Sequence, residues 1–146
     1  MIYIGIDPGK KGGIAVLDGE DAPVAYPYSD EILIDVLKAA LCKTEKITAA
    51  VEKVGAMPGQ GVTSMFTFGT GYGFIQGALS ALSIPYQLVP PKKWKGEYSI
   101  TADKKQSIEV CRRLFPTLEL IPCGCRKEHD GIAEAALIAE YAKRNF

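Results

Sequence analysis

The sequence predicts an α/β protein in which a mixed five-stranded sheet carries helices on both faces. Three short strand-type segments follow one another near the amino terminus, and strand-type and helix-type segments alternate after them. Strands joined by hairpins pair antiparallel, whereas strands separated by helices pair parallel, so one sheet should contain both kinds of pairing. The chain has 146 residues, of which 47% are hydrophobic, and we expect residues 1–146 to form one domain with a substantial core.

An acidic residue lies at the tip of the predicted first hairpin. Residues 2–6 are mostly β-branched or aromatic, and Pro8 and Gly9 signal a turn directly after Asp7. The second strand is expected at residues 14–17. An aspartate before Pro-Gly is a common turn former, so Asp7 alone does not distinguish a turn residue from a chemically active one.

The next three elements are an edge strand, a helix and a buried strand. Residues 22–29 contain two prolines, which favour the edge of a sheet over its centre. Ser29 or Asp30 is expected to cap the helix that follows, over residues 31–43, where apolar residues have helical spacing. The apolar composition of residues 47–54 predicts a buried strand.

A glycine-rich helix and three later elements complete the order. Residues 58–61 predict a turn before an apolar helix at residues 62–82, whose glycines would weaken an exposed helix and are therefore expected to pack closely against the sheet. These glycines are Gly69, Gly71, Gly73 and Gly77. The remaining elements are a strand at residues 85–90, a basic loop, a helix from about residue 102 to residue 115, a cysteine-bearing loop and a final helix from Asp130.

This order suits the ribonuclease H-like fold. Three hairpin-linked strands come first, and strands alternating with helices follow, as that fold requires. An open flavodoxin-like sheet fits less well, because its second strand would have to follow a helix.

Three separate predicted elements carry acidic residues that can meet. Asp7 and Glu52 lie near the carboxyl ends of strands, where ligands of open α/β sheets gather, and Asp130 and Glu134 lie one turn apart at the start of the last helix. Clustered carboxylates repel one another unless a cation neutralises them, so we expect bound Mg²⁺ or Mn²⁺. Taken singly, Glu52 could pair with Lys53, Asp130 could be a helix N-cap, and Glu134 could form a surface salt bridge.

A run of basic residues follows the fifth predicted strand. It extends from Lys92 to Arg113 and contains three acidic residues. Such a run is either a solvated helix face or part of a phosphate-binding surface. Under the second interpretation, the candidate DNA-binding residues are Lys92, Lys93, Lys95, Lys105 and Arg112.

Five sequence blocks, taken together and in order, resemble the RuvC-like Holliday junction resolvase family in its compact phage and prophage form. They are IGIDPGKKGGIAV, AAVEKV, YQLVPPKKWK, ADKKQSIEVCRRLFP and HDGIAEAALIAEYA, and they span nearly the whole chain. The resemblance implies the ribonuclease H-like fold and an active site with two divalent metal ions. By the same resemblance, the metal ligands are Asp7, Glu52, Asp130 and Glu134.

The resemblance also assigns two lysines to the active site. Lys95 and Lys104 match lysines that the family places by the scissile phosphate, which makes Lys104 a candidate catalytic residue. A lysine there can stabilise charge on the phosphoryl oxygens or help to protonate the leaving oxygen. Lys105 is an adjacent candidate, and a solvated helix terminus is the alternative explanation for all three.

The sequence departs from the family pattern at two places. Bacterial family members usually carry an aromatic residue just after the acid of the fourth strand, where it stacks in the junction, whereas this chain has Gly55. Either another residue replaces it or the selectivity for DNA sequence and structure is relaxed, and the candidate replacements are Met57, Phe66, Phe68 and Trp94. Asp130 and Glu134 are separated by three residues rather than the two that bacterial members have. Which of them binds metal directly is therefore left open, and His129 is a third candidate. Asp130 lies in the first turn and is expected to be nearer the metals than Glu134.

Taken together, these expectations describe a homodimeric, metal-dependent endonuclease. It would cut four-way DNA junctions by paired symmetric nicks and leave 5′-phosphate and 3′-hydroxyl ends. Two opposed cuts need two matched sites, which a two-fold dimer supplies, and the apolar segment 62–82 is the expected dimer contact. Two alternatives remain. The chain could be a ribonuclease H-like nuclease for RNA–DNA hybrids or flaps, or a branched-DNA-binding protein without catalytic activity.

The sequence contains neither a run of membrane-spanning length nor a secretory signal. We therefore expect a cytoplasmic protein without a membrane partner, in the host cytoplasm if a phage encodes it. Its cysteines lack the spacing of a disulfide framework and are expected to be free thiols. They are Cys42, Cys111, Cys123 and Cys125. Cys123 and Cys125, with His129, resemble part of a metal cluster, but their spacing fits no standard zinc signature.

Overall fold

The computed structural model describes residues 1–19, 21–101 and 103–146. Within these residues the chain forms five strands and five helices. The strands are β1 (Ile2–Asp7), β2 (Gly13–Asp18), β3 (Val24–Pro27), β4 (Ile47–Glu52) and β5 (Tyr86–Val89). The helices are α1 (Asp30–Lys43), α2 (Val62–Ala81), α3 (Pro91–Glu97), α4 (Lys104–Leu114) and α5 (Asp130–Asn145).

The five strands form one mixed sheet with the spatial order β3-β2-β1-β4-β5. The pairs β1–β2 and β2–β3 are antiparallel, whereas β1–β4 and β4–β5 are parallel. The strands joined by hairpins therefore pair antiparallel, and the strands joined through helices pair parallel. This confirms the predicted fold class, including the position of the proline-containing β3 at an edge.

Side-chain alternation in the sheet divides the core into two layers. The isoleucines of β1 and Val51 of β4 pack with α1 and α2, whereas Gly5 and Ala50 face the layer built by α3, α4 and α5. Successive side chains of a strand point to opposite faces. Asp7 and Glu52, each two positions further along, therefore lie on the same face as α5.

Helix α5 lies unusually close to the sheet because small residues line the contact. A Cβ atom added to Gly5 would collide with the backbone of Ala135 and Ala139, and one added to Gly13 would collide with the backbone of Gly131. A Cβ on Gly131 would in turn meet the backbone of the β1–β2 turn. The small residues of α5 therefore allow its backbone to contact the backbone of the sheet.

Helix α3 occupies part of the segment for which the sequence predicted a basic loop. Pro90 is the extended N-cap residue, and Pro91 takes the first helical position, where its missing N–H costs nothing. The loop prediction was wrong because the proline pair signals the start of this helix. Fully buried Trp94 then anchors its inner face.

Helix α4 begins at Lys104. Asp103 is its N-cap, and the Asp103 side chain accepts a hydrogen bond of 2.9 Å from the backbone N–H of Lys105. The helix ends at Leu114, one residue before the predicted end. The predicted start at Ala102 lies outside the described residues.

Helix α2 differs from the expectation for its glycines. A Cβ atom added to any of the four glycines predicted to pack on the sheet would meet no other atom of the described residues within 4 Å, so the prediction of close packing is wrong. Ile75 and Leu79 are the fully buried residues of α2. In contrast, Val62 and Phe66 are 85% and 78% exposed. In the part of the chain that the structure describes, no helix is long and apolar enough to cross a membrane.

The contact between Gly5 and α5 predicts a large cost for one added methyl group. Gly5→Ala should lower the free energy of unfolding by about 1–3 kcal/mol, because the collision is with backbone atoms that cannot rotate away. Urea unfolding followed by circular dichroism measures this difference. Gly96→Ala is the control, since its site on α3 is open and alanine favours a helix by up to about 1 kcal/mol. Equal stability of Gly5→Ala and wild type would contradict the close contact.

Candidate active site

Asp7 lies where the β1–β2 hairpin meets the start of α5. Its sheet partner is Gly13, and a Cβ on Gly12 would collide with the Asp7 carbonyl group, so the turn closes tightly over this residue. Gly131 of α5 contacts the same turn through its backbone. The hairpin and the first turn of α5 are therefore held together beside the Asp7 carboxylate.

His129 caps the amino terminus of α5. Its Nδ1 atom accepts a hydrogen bond of 3.2 Å from the backbone N–H of Ile132, and its own backbone N–H donates to the Leu120 carbonyl oxygen at 2.8 Å. Asp130 is thus the first helical residue and not the cap. Glu134 follows one turn deeper and is buried.

Glu52 is a buried carboxylate at the end of β4. The indole Nε1 of Trp94 donates a hydrogen bond of 3.0 Å to Glu52 Oε1, and this contact replaces the considered pairing of Glu52 with Lys53. Burial raises the pKa of Glu52 above its usual value. The Trp94 hydrogen bond opposes that rise, the negative charge of Glu134 adds to it, and the positive charge of Lys95 opposes it.

Glu134 and Asp130 each contact a lysine. Lys95 Nζ lies 3.2 Å from Glu134 Oε1, which also accepts a hydrogen bond of 3.1 Å from the hydroxyl group of Ser107. Lys104 Nζ lies 2.5 Å from Asp130 Oδ2. Burial acts to raise the pKa of Asp130, but the hydrogen bond and charge of Lys104 outweigh it and lower the pKa below its usual value. The same hydrogen bond raises the pKa of Lys104.

The charges that act on Asp7 indicate that the four acids, Asp7, Glu52, Asp130 and Glu134, lie near one another. Burial raises the pKa of Asp7 well above its usual range, and the negative charges of Glu52, Glu134 and Asp130 raise it further in that order. Lys104 offsets part of this effect. Among the described residues, no hydrogen bond or ion pair involves the Asp7 side chain. Glu134 thus raises the pKa of Asp7 more than Asp130 does.

The chemistry of this acid cluster fits a hard divalent cation. All four side chains offer carboxylate oxygens, the donors that Mg²⁺ and Mn²⁺ prefer, and a cation would relieve the repulsion that raises the pKa of Asp7. In the described ranges, no three His, Cys, Asp or Glu side chains converge closely enough to hold one ion together. The positive charges next to the cluster are those of Lys95 and Lys104.

The predicted DNA-binding residues fall into three places. Lys95 lies at the acid cluster, and Lys92 and Lys93 are exposed on α3. Lys105 and Arg112 line a surface cleft of about 530 Å³ between α4 and the segment before α5. Two further basic residues of that cleft, Arg126 and Lys127, were not singled out from the sequence.

The four candidate stacking residues are not equivalent. Trp94 is fully buried, so it cannot reach a DNA base. Phe68 is 37% exposed, stacks on Tyr72 and lies beside Gly9, two residues from Asp7. Phe66 and Met57 are more exposed still, at 78% and 65%.

Sequence reasoning missed the partners that hold the two glutamates. Ser107 is buried on α4 and bonds Glu134, and its spacing of four from buried Cys111 is the pattern that could have marked this inner face. Trp94 was considered as a stacking residue and not as a hydrogen-bond donor to Glu52, which is 42 positions away in the sequence. Cys123 and Cys125 are exposed and unbridged.

Comparison with known proteins identifies the fold. No family model matches the chain, and no curated protein matches it. A solved structure of Thermus thermophilus RuvC has a TM-score of 0.62 and 21% identity, and the match covers 99% of this chain and 96% of that one. The same protein in complex with a Holliday junction substrate has a TM-score of 0.62 and 15% identity, covering 99% and 97%.

A second resolvase has the same architecture. The crystal structure of the yeast mitochondrial Holliday junction resolvase Ydc2 matches with a TM-score of 0.54 and 15% identity, covering 93% of this chain and 75% of that one. Identities at this level show the fold alone. The chain therefore has the ribonuclease H-like fold of the RuvC resolvases, as the sequence predicted.

The raised pKa of Asp7 predicts that its charge destabilises the metal-free protein. A carboxyl group with a native pKa above its unfolded value stabilises the fold while protonated and loses that contribution as pH rises through the native pKa. Asp7→Asn should therefore raise the free energy of unfolding at about pH 7.5 in the presence of EDTA. The difference from wild type should shrink as pH falls towards the ordinary carboxyl pKa of 3.8.

Urea unfolding at several pH values measures this effect. Asp35→Asn, at an exposed position of α1, is the matched control and should change stability by less than about 0.5 kcal/mol at every pH. A destabilised Asp7→Asn protein at about pH 7.5 would contradict the electrostatic assignment.

Proposed function

We propose that the protein is a metal-dependent, structure-specific DNA endonuclease, a crossover junction endodeoxyribonuclease, that resolves four-way junctions by paired symmetric nicks. The observation that carries this proposal is the meeting of four acids from β1, β4 and α5 beside two lysines. The fold likeness to T. thermophilus RuvC, which has been solved in complex with a Holliday junction substrate, supports it. A role in recombination or repair of DNA would follow.

The acid cluster would hold two Mg²⁺ or Mn²⁺ ions. The proposed ligands are Asp7, Glu52, Asp130 and Glu134. Such ions supply a hydroxide nucleophile at neutral pH and neutralise charge on the phosphate. The chain's own contribution is the close backbone packing of β1 against α5 and the pairing of β1 with β4, which fix the elements that carry the acids. The side chains themselves would turn towards one another to share a cation.

Lys104 and Lys95 would interact with the scissile phosphate. In the metal-free protein each pairs with a carboxylate of the cluster, Asp130 and Glu134 respectively. With these carboxylates engaged as metal ligands, the two ammonium groups would be available to contact a phosphate. There Lys104 would stabilise charge on the phosphoryl oxygens or protonate the leaving 3′-oxygen, and hydrolysis would leave 5′-phosphate and 3′-hydroxyl ends.

Exposed basic residues would hold the arms of the branched DNA. The proposed contacts are Lys92 and Lys93 on α3, and Lys105 and Arg112 in the cleft beside α4. Arg112 pairs with Glu128, which fixes the cleft wall next to the start of α5. Contacts of this kind add affinity that falls as salt concentration rises.

A second copy of the chain is the proposed occupant of the exposed face of α2. A four-way junction requires two cuts in opposed strands, and a two-fold dimer provides two matched sites. Val62 and Phe66 present exposed apolar surface, and the open sides of the α2 glycines allow a partner helix to approach closely. Burial of this surface would drive dimer formation.

Two other functions share parts of this argument. A ribonuclease H-like nuclease acting on RNA–DNA hybrids or flaps would use the same acid cluster. A branched-DNA-binding protein without catalytic activity would use only the basic surface. A panel of labelled four-way junction, three-way junction, flap, duplex and RNA–DNA hybrid substrates in Mg²⁺ distinguishes the three.

The substrate panel has a definite expected outcome. Wild-type protein should nick the four-way junction at symmetric positions in Mg²⁺ and not in EDTA. Asp7→Asn should lose cleavage and retain junction binding, because the substitution removes a proposed ligand and also reduces repulsion of phosphate. Preferred cutting of hybrids or flaps, or binding of junctions without any nicking, would overturn the proposal in favour of the corresponding alternative.

Lys104 should affect catalysis more than binding. Lys104→Ala is expected to slow single-turnover cleavage by about 100-fold or more while changing the junction Kd only slightly, because its ammonium group lies at the acid cluster. Lys92→Ala and Lys93→Ala are matched controls that remove the same charge from α3. They should weaken junction binding and reduce its salt dependence, with little effect on the cleavage rate of the bound junction. Equal losses of rate for all three variants would argue against a catalytic Lys104.

A further inference from the structure

The only tryptophan of the sequence joins the hydrophobic core to the acid cluster. The Trp94 ring is fully buried in the layer formed by α3, α4 and α5. Its single polar atom, Nε1, donates to Glu52 Oε1 at 3.0 Å. The core therefore fixes the position of this N–H, and the N–H in turn contacts one defined oxygen of one defined carboxylate.

The next residue of α3 makes a parallel contact. Lys95 Nζ lies 3.2 Å from Glu134 Oε1 and 5.1 Å from the centre of the Trp94 ring. Consecutive residues of one short helix thus contact two acids that come from different elements, β4 and α5. The lysine is flexible and solvent-accessible in part, whereas the tryptophan is fixed, so the two contacts differ in rigidity.

We propose that Trp94 is a positioning residue that orients the Glu52 carboxylate for cation binding, an inference that rests on the function proposed above. An indole N–H is a donor only and cannot ligate a metal. By occupying Oε1 it fixes the rotation of the carboxylate and leaves Oε2 as the oxygen available to an ion. Loss of such an outer hydrogen bond to a ligand typically costs about 10- to 100-fold in metal affinity.

Trp94→Phe tests the hydrogen bond while keeping a buried aromatic ring. Isothermal titration with Mn²⁺ alone should give an affinity about 10- to 100-fold weaker than that of wild type. The cleavage rate should need correspondingly more Mn²⁺ to reach its maximum, and the maximal rate should recover to near wild type. A general loss of stability would not be expected to raise the half-saturating Mn²⁺ concentration while leaving the maximal cleavage rate unchanged.

Tyr98→Phe is the matched control. Its hydroxyl group also donates from the same core, to the Leu137 carbonyl oxygen at 3.1 Å, but it does not contact an acid of the cluster. This variant loses a core hydrogen bond and should keep wild-type Mn²⁺ affinity. Equal weakening in both variants, or unchanged affinity in a folded Trp94→Phe protein, would overturn the positioning role.

Wild-type fluorescence provides a readout that does not depend on the variant folding. Since Trp94 is the single tryptophan, saturation with Mg²⁺ should change its emission, with the same half-saturation concentration as calorimetry with Mg²⁺ gives. An emission spectrum unaffected by saturating Mg²⁺ would overturn the proposal. If wild type bound no divalent ion at all, both the positioning role and the proposed metal-dependent function would be rejected. If wild type bound the ion and cleaved junctions, and Trp94→Phe did so equally well, only the positioning role would be rejected.

Discussion

The close backbone contact between α5 and the β1–β2 hairpin determines the rest of the structure. Gly5, Gly13 and Gly131 leave no room for a side chain between the helix and the sheet. This contact brings the first turn of α5 directly to the tip of β1. Because backbone atoms form the contact, the distance between the two elements is fixed by geometry and not by adjustable side chains.

The carboxylates derive their properties from this arrangement. Side-chain alternation places Asp7 and Glu52 on the α5 face, and one helical turn separates Asp130 from Glu134 on the helix itself. Burial first, and then repulsion from the other acids, raises the pKa of Asp7, and Lys104 offsets this only in part. Functional sites typically contain charged groups in an electrostatically unfavourable arrangement. Selection for binding retains such groups, whereas selection for stability would remove them.

The sheet and the location of the acids could be predicted because local patterns determine them. Strand composition, the Pro8-Gly9 turn and the alternation of later elements define the mixed sheet, and acids at strand ends define the site. The partners of the acids could not be predicted in the same way. Trp94 and Glu52 come together only when α3 packs under the sheet, a contact that no local pattern encodes.

The errors in the sequence prediction have similar physical causes. Helix α3 has only seven residues and begins with a proline, so its lysines and prolines favoured a loop. The glycines of α2 indicate that something approaches the helix closely, but their spacing does not say whether it is the sheet or another molecule. In the structure their free sides face away from the rest of the described chain.

Anomalous diffraction from crystals soaked in Mn²⁺ tests the central claim, that four acids held together by the α5–hairpin contact form a cation site. The account predicts manganese peaks within coordination distance of Asp7, with Glu52, Asp130 and Glu134 on the same cluster. Peaks found only elsewhere, or Asp7 bound to no ion at saturating Mn²⁺, would contradict it.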